Sequence, residues 1–425
     1  MSSASLPNSI SESTSRRQIR FSDLESLALF WLVNLALYGV MIMNHTHIET
    51  NDQVKLAGGL ELLLRLGTSG IAGVIGMYGL VFMPRVRNAF FSFPGAWVMG
   101  VSIMYVIGTV CSPYFSYSMP HLITFGCVVL FSPTAFAVLG TRQTVNVMIN
   151  SMVITMVASW FLYLAMPEYG VMIEITDLSG ATVERMGGTS HPNVLAGACS
   201  LLLVMLSYMW FEKKMSTLLV IPLLLLCGLT LLETGTRVAL VASVVSVVVV
   251  YRGFWFEREI LPFTIIFSML AAIIILFMSA TGAGKVASAT SFTRSGDMEE
   301  ITSVTGRAEI WEYCIKKVWE RPLRGYGPGS AKIILNRKQM LLHTHNVIIS
   351  MGVIGGVICA FCGFMMFIHQ FWISVCGNYR LAALISFVII MNSFTENPIF
   401  DYVPGAPTVL WLVAVFWPVL DDGSL

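Results

Sequence analysis

Apolar residues in this chain arrive in long blocks separated by short polar stretches. Runs at 25–44, 60–83, 94–112, 118–139, 144–166, 191–211, 216–232, 237–254, 260–280, 344–373, 381–395 and 407–420 stand out. Most approach the ~20 residues that a helix needs to cross a bilayer. In hydrocarbon each backbone N–H and C=O must be satisfied within its own segment, so such runs predict helices. The expectation is an all-α polytopic membrane protein with about twelve transmembrane helices. Residues 1–24 read as a cytosolic tail, and residues 25–425 as one transmembrane domain. The runs at 216–232, 237–254, 381–395 and 407–420 are short for a perpendicular span.

One stretch breaks the pattern. Residues 281–343 form a loop longer than any other, and loops of that length are usually functional. It contains TGRAEIWEYCIKKVWERPLRGYGPG from Thr305, in which Ile310, Trp311, Cys314, Ile315, Val318 and Trp319 recur at the spacing of one helical face. Thr305 suits the N-cap, and Pro322 with the glycines after it stops the helix. The apolar face of this amphipathic helix suits either the membrane surface or the top of the bundle.

Composition narrows the class. Apolar residues make up 56% and charged residues 12%, against ~25% charged in a soluble domain. That argues against a soluble enzyme, a disordered chain and a disulfide scaffold. A formal net charge of +1 gives no field for nucleic acid. Cys359 and Cys362 form a C-x-x-C inside an apolar run, with no second pair or histidine at ligand spacing, and read as packing residues. Arg16, Arg17 and Arg20 directly precede the first run, which reads as an uncleaved first helix rather than a signal peptide.

Lys and Arg in short loops set orientation. With the N-terminus inside, the inner segments hold Arg16, Arg17, Arg20, Arg85, Arg87, Arg142, Lys213, Lys214, Arg252, Arg258 and Arg380. The short outer segments hold Lys55, Arg65, Arg185 and Arg237. Both termini are then cytosolic and the 281–343 loop lies outside.

Four outer constellations carry the candidate chemistry. They are Glu184–Asn193 (ERMGGTSHPN), Glu233–Arg237 (ETGTR), the Thr305–Gly329 stretch with Arg307 and Tyr326, and His343–Asn346 (HTHN). Each has a plain reading. Arg185 suits a headgroup contact, Arg237 a pair with Glu233, the histidines an ordinary loop, and the glycines a turn that is not a P-loop. Together they converge on one side, where no D-D or D-x-D occurs; Asp421-Asp422 lies at the cytosolic end. A diphosphate is neutralised either by Mg²⁺ on carboxylates or by arginine forks, and these residues suit the second.

The order R-x-G…H-P-N, L-L-E-T-G-T-R-x-A-L, T-G-R-x-x-I-W…R-P-L-x-G-Y-G-P-G and H-x-H-N resembles the O-antigen ligase and polysaccharide polymerase superfamily. The resemblance covers roughly residues 180–360. It implies a bacterial inner-membrane glycosyltransferase. Such an enzyme moves a glycan from undecaprenyl diphosphate to a glycan or lipid-linked acceptor at the periplasmic face.

By the same resemblance Arg237 and Arg307 stabilise the leaving diphosphate and His345 is the general base. Arg185, His191, Asn193, Tyr326, His343 and Asn346 are substrate-binding candidates. No metal or cofactor is implied, and the partners are the lipid-linked donor, the acceptor and membrane lipids, without nucleic acid. One departure is visible: Gly352 and Gly355 follow the H-N pair after five residues rather than the family's usual nine. Within the superfamily the expectation is a polymerase of O-antigen or exopolysaccharide repeat units. The alternatives are a ligase acting on lipid A-core and, from a different class, a flippase or transporter of lipid-linked glycans. Glu61 and Arg65, four apart in the second run, favour the latter unless they are a simple i,i+4 pair.

Overall fold

A computed structural model describes residues 21–41, 59–175, 182–252, 307–338, 343–394 and 405–421. It is mostly helical (83%). The run at 260–280, all of 281–306 including the expected cap Thr305, and the acidic residues Glu396 and Asp401 lie outside the described residues.

The helices follow the apolar runs. In order they are α1 (Phe21–Met41), α2 (Gly59–Phe82), α3 (Pro84–Phe91), α4 (Gly95–Val110), α5 (Phe115–Ala165) and the single turn α6 (Pro167–Gly170). After a hairpin come α7 (Pro192–Phe211), α8 (Thr217–Glu233), α9 (Arg237–Arg252), α10 (Arg307–Glu320), α11 (Ser330–Asn336), α12 (Val347–Cys376), α13 (Arg380–Ser393) and α14 (Ala406–Leu420). By length and composition α5, α7 and α12 can each cross a membrane, and α2 with α3 forms a fourth candidate bent by 92°. Five shorter apolar helices accompany them among the described residues.

α5 contains two of the expected spans without a loop between them. Its helix is interrupted at Gly140, where φ is 74° and ψ 172°, a conformation open essentially to glycine alone. The short helices α13 and α14 have a different explanation from tilt or a thin bilayer. Every residue of α13 from Leu381 to Ser393 is buried, as is α14 from Ala406 to Trp417. A helix apolar on all sides and enclosed by others belongs to a bundle's centre. α13 packs against α7, α9, α12 and α14.

Segments read as lying on one side meet one another. Arg85 Nη2 donates to the carbonyls of Leu420 (2.9 Å) and Asp421 (2.8 Å), and Thr141 Oγ1 donates to Asp421 Oδ1 (2.6 Å). Arg380 lies 3.7 Å from Glu212. At segments read as outer, Tyr163 donates to Glu233 Oε2 (2.9 Å).

Two features depart from the sequence expectation. The all-α reading misses an antiparallel hairpin of β1 (Val171–Ile175) and β2 (Thr182–Met186), with Val171 opposite Met186 and Met172 opposite Arg185. Its strands are too short to compete with the helical periodicity around them. The second departure is inside α12, which is broken at Gly356 (φ 79°, ψ −171°). A break in a spanning helix exposes backbone groups that hydrocarbon cannot satisfy.

Here the R-P-L-R-G-Y-G-P-G turn enters the break and pairs with them. Tyr326 N–H donates to Val353 O (2.8 Å), Gly327 N–H to Ile354 O (2.9 Å), and Val357 N–H to Pro322 O (2.7 Å). α4 closes the other side, so tightly that a Cβ on Gly108 would stand 2.4 Å from Ile354 O. The loop segment also builds a small core of its own from Ile310, Cys314, Val318, Tyr326, Ile334, Leu335 and Val353.

Candidate functional site

Two clusters of candidate residues form, each around a clamp. The first joins β2, the start of α7 and the turn between α8 and α9. Pro192 at the first turn and His191 at the N-cap start α7, with His191 Nδ1 accepting from Asn193 N–H (3.2 Å). Arg185, only 3% exposed, reaches across from β2. Its Nε donates to Thr234 O (2.7 Å), and its Nη2 donates to Asn193 Oδ1 (2.6 Å) and Thr236 Oγ1 (2.9 Å). Thr236 Oγ1 also donates to Asn193 Oδ1 (3.1 Å). Gly235 takes φ 61° to make the turn. The guanidinium therefore fixes the T-G-T backbone immediately before half-buried Arg237, the first residue of α9.

The second cluster joins α10 to the segment before α12. α10 begins at half-buried Arg307. One turn on, Trp311 Nε1 donates to Thr344 O (2.9 Å), which lies between the two histidines. Asn346 caps α12 by accepting from Ile349 N–H (3.0 Å), and its side-chain amide reaches Phe394 O at the end of α13 (3.5 Å). Between these two anchors His345 adopts φ 51°. A left-handed histidine is uncommon and costs on the order of 1–3 kcal/mol, so the surroundings must hold it there. The ring of His343 lies edge-on to that of His345, with centroids 6.2 Å apart. α13 lies against both α9 and α12, so one buried helix supports the elements that carry Arg237 and Asn346.

Tyr326 sits with neither cluster. It is buried, donates to Glu320 Oε2 (2.7 Å), and has Arg321 over its ring at 5.0 Å. Burial first, then the bond to Glu320, pushes its phenol pKa up. Glu320 is held below the usual carboxylate range by Lys317 and then by this phenol. The tyrosine is thus a buried, bonded part of the loop core. Three residues were missed by sequence reasoning. The clamp role of Trp311 was hidden because an aromatic at helical spacing reads as core. Thr234 serves through its carbonyl, which no sequence pattern marks. Gly356 looks like any small residue in an apolar helix.

Apolar helices of this kind, three of them long enough to cross a bilayer, fit a multi-pass membrane protein, and basic and imidazole groups lie at the ends of several. Residues 222–368 match the family described as O-antigen ligase. The match bears out the resemblance to the O-antigen ligase and polysaccharide polymerase superfamily, and supports a membrane function of the ligase or polymerase type. The matched segment contains Arg237, Arg307, Tyr326, His343, His345 and Asn346, whereas Arg185, His191 and Asn193 precede it. No curated protein matches the chain.

Proposed function

We propose that the protein is an inverting, metal-independent glycosyltransferase of the bacterial inner membrane. It polymerises O-antigen or exopolysaccharide repeat units from an undecaprenyl-diphosphate donor at the periplasmic face. The observation that carries the reading is His345. It is held in a costly backbone conformation by Trp311 and Asn346, inside the matched segment and beside the helix that opens with Arg307.

The residues have complementary tasks. Imidazole is the side chain suited to taking a proton near neutrality. As the acceptor hydroxyl attacks the anomeric carbon, its proton passes to His345. A new C–O bond forms opposite the bond that breaks, which inverts the anomeric centre. The electron pair of the broken bond leaves on the undecaprenyl diphosphate, where Arg237 and Arg307 meet the growing charge with planar two-donor forks. Arg185, His191 and Asn193 shape the donor side, and His343 and Asn346 the acceptor side. The scheme needs no metal. The test is transfer by the purified protein in vesicles containing the lipid-linked donor. Chain growth that survives EDTA supports the reading. Attachment only to lipid A-core would make it a ligase, and donor movement across the bilayer without transfer would make it a flippase.

A further inference from the structure

The amphipathic helix α10 does not use its apolar face in one way. Ile310, Cys314 and Val318 are buried in the loop core against α12. Ile315 and Trp319, four residues apart, form a second and exposed stripe, and Leu323 follows in the turn after the helix; Trp319 is 68% and Leu323 66% exposed. Leaving two such side chains in water would forgo roughly 1.5–3 kcal/mol each.

What borders the stripe indicates its occupant. Pro322, beside Leu323, accepts from Val357 N–H (2.7 Å), and Val357 opens the exposed apolar stripe of α12 that continues through Phe361 and Phe364. Arg321 Nη1 donates to Cys111 O (3.2 Å). That carbonyl directly follows Val110, the last residue of the exposed stripe Ile103–Ile107–Val110 on α4. On a membrane-spanning chain these two stripes face acyl chains. Leu323 and Trp319 therefore extend the same surface past the helix ends.

We infer that α10 is an interfacial helix whose Ile315–Trp319 edge, with Leu323 in the turn after it, is seated in bilayer lipid while its other edge roofs the bundle. A tryptophan at the boundary and an exposed cation beside it, Arg324, fit headgroup depth. The placement stands apart from the transfer chemistry. It also sets Arg307, at the start of the same helix, near the level at which a lipid carries its phosphates.

The test uses the full chain in nanodiscs. A nitroxide is placed at Trp319→Cys, with exposed Cys111 and Cys376 replaced by serine and the signal of that background subtracted. Val110→Cys serves as the lipid reference and Lys338→Cys as the water reference. The expected result is collision with oxygen exceeding collision with a water-soluble nickel chelate, as at Val110. The reverse order, as at Lys338, would overturn the inference. So would low collision with both agents, since protein would then cover the stripe. If the labelled variants fail to insert, quenching by brominated acyl chains is compared between the unmodified protein and Trp319→Phe. A quenched component lost in Trp319→Phe supports the placement, and unchanged quenching overturns it.

Discussion

Replacing Arg185 by alanine separates a clamp from a ligand contact. The substitution removes three hydrogen bonds from a charged donor at 2.6–2.9 Å. Hydrogen bonds of that kind contribute about 1.5–3 kcal/mol, and a buried acceptor left without its donor costs about 1–3 kcal/mol. The losses do not simply add. Asn193 Oδ1 keeps the bond from Thr236 (3.1 Å), while Thr234 O keeps only a 3.5 Å contact with Thr236 Oγ1. A net loss of about 2–4 kcal/mol is therefore expected.

Lysine does not rescue the site, because one ammonium cannot serve acceptors placed for a planar fork. Thr236→Val should cost less, about 1 kcal/mol. The informative experiment is the double-mutant cycle on Arg185→Ala and Thr236→Val, read by unfolding in detergent and by transfer rate. Because both residues share Asn193, the cycle should show coupling of about 0.5–3 kcal/mol. If Arg185→Ala leaves unfolding untouched while the donor KM rises, the guanidinium grips phosphate directly and the clamp reasoning fails.

Arg237→Lys and Arg307→Lys should each lower kcat by about 10²-fold while the protein still inserts, because charge without the fork loses transition-state contacts; near-normal transfer would show that the two residues only balance charge. His345→Ala should cost ~10²–10⁴-fold in rate with donor binding kept, and His343→Ala should retain part of the activity. A dead Glu396→Gln or Asp401→Asn beside a fully active His345→Ala would move the base to a carboxylate. Trp311→Phe removes only the N–H that holds Thr344 O, worth about 0.5–1.5 kcal/mol, so kcat should drop with little change in donor KM; the opposite split would place Trp311 at the donor. Gly356→Ala should destabilise the protein, since its Cβ would stand 2.2 Å from Pro322 O at φ 79°, whereas Gly126→Ala, with nothing within 4 Å, is the neutral control in the same melting assay.

What the sequence made legible was whatever depends on periodicity and local signals. The apolar runs mark the helices, and the spacing from Ile310 to Trp319 marks α10 to within a residue or two of Arg307–Glu320. Asn346 reads as a helix start and proves to be the cap. Periodicity cannot say which neighbour covers a face. The single apolar face read on α10 divides into Ile310–Cys314–Val318 against protein and Ile315–Trp319 away from it. Arg185 reads in the sequence as a substrate or headgroup contact rather than a clamp because its acceptors lie 8, 49 and 51 residues away in the chain. The short runs at 381–395 and 407–420 looked like deficient spans because length says nothing about enclosure. The early glycines after H-N drew attention to Gly352 and Gly355, while the break itself falls one residue later, at Gly356.

The paired break in α12 also constrains how the chain is made. Residues 322–327 are translated before the helix whose open backbone groups they meet, so the turn is made before its partners leave the ribosome. Until Val353, Ile354 and Val357 arrive, the N–H groups of Tyr326 and Gly327 and the carbonyl of Pro322 have only water. Until the turn is in place, α12 carries into the bilayer a gap that lipid cannot fill. Each half completes the other, so membrane integration of α12 and docking of the loop form one assembly step. Deleting the turn would then reduce the amount of stably inserted protein as well as its activity.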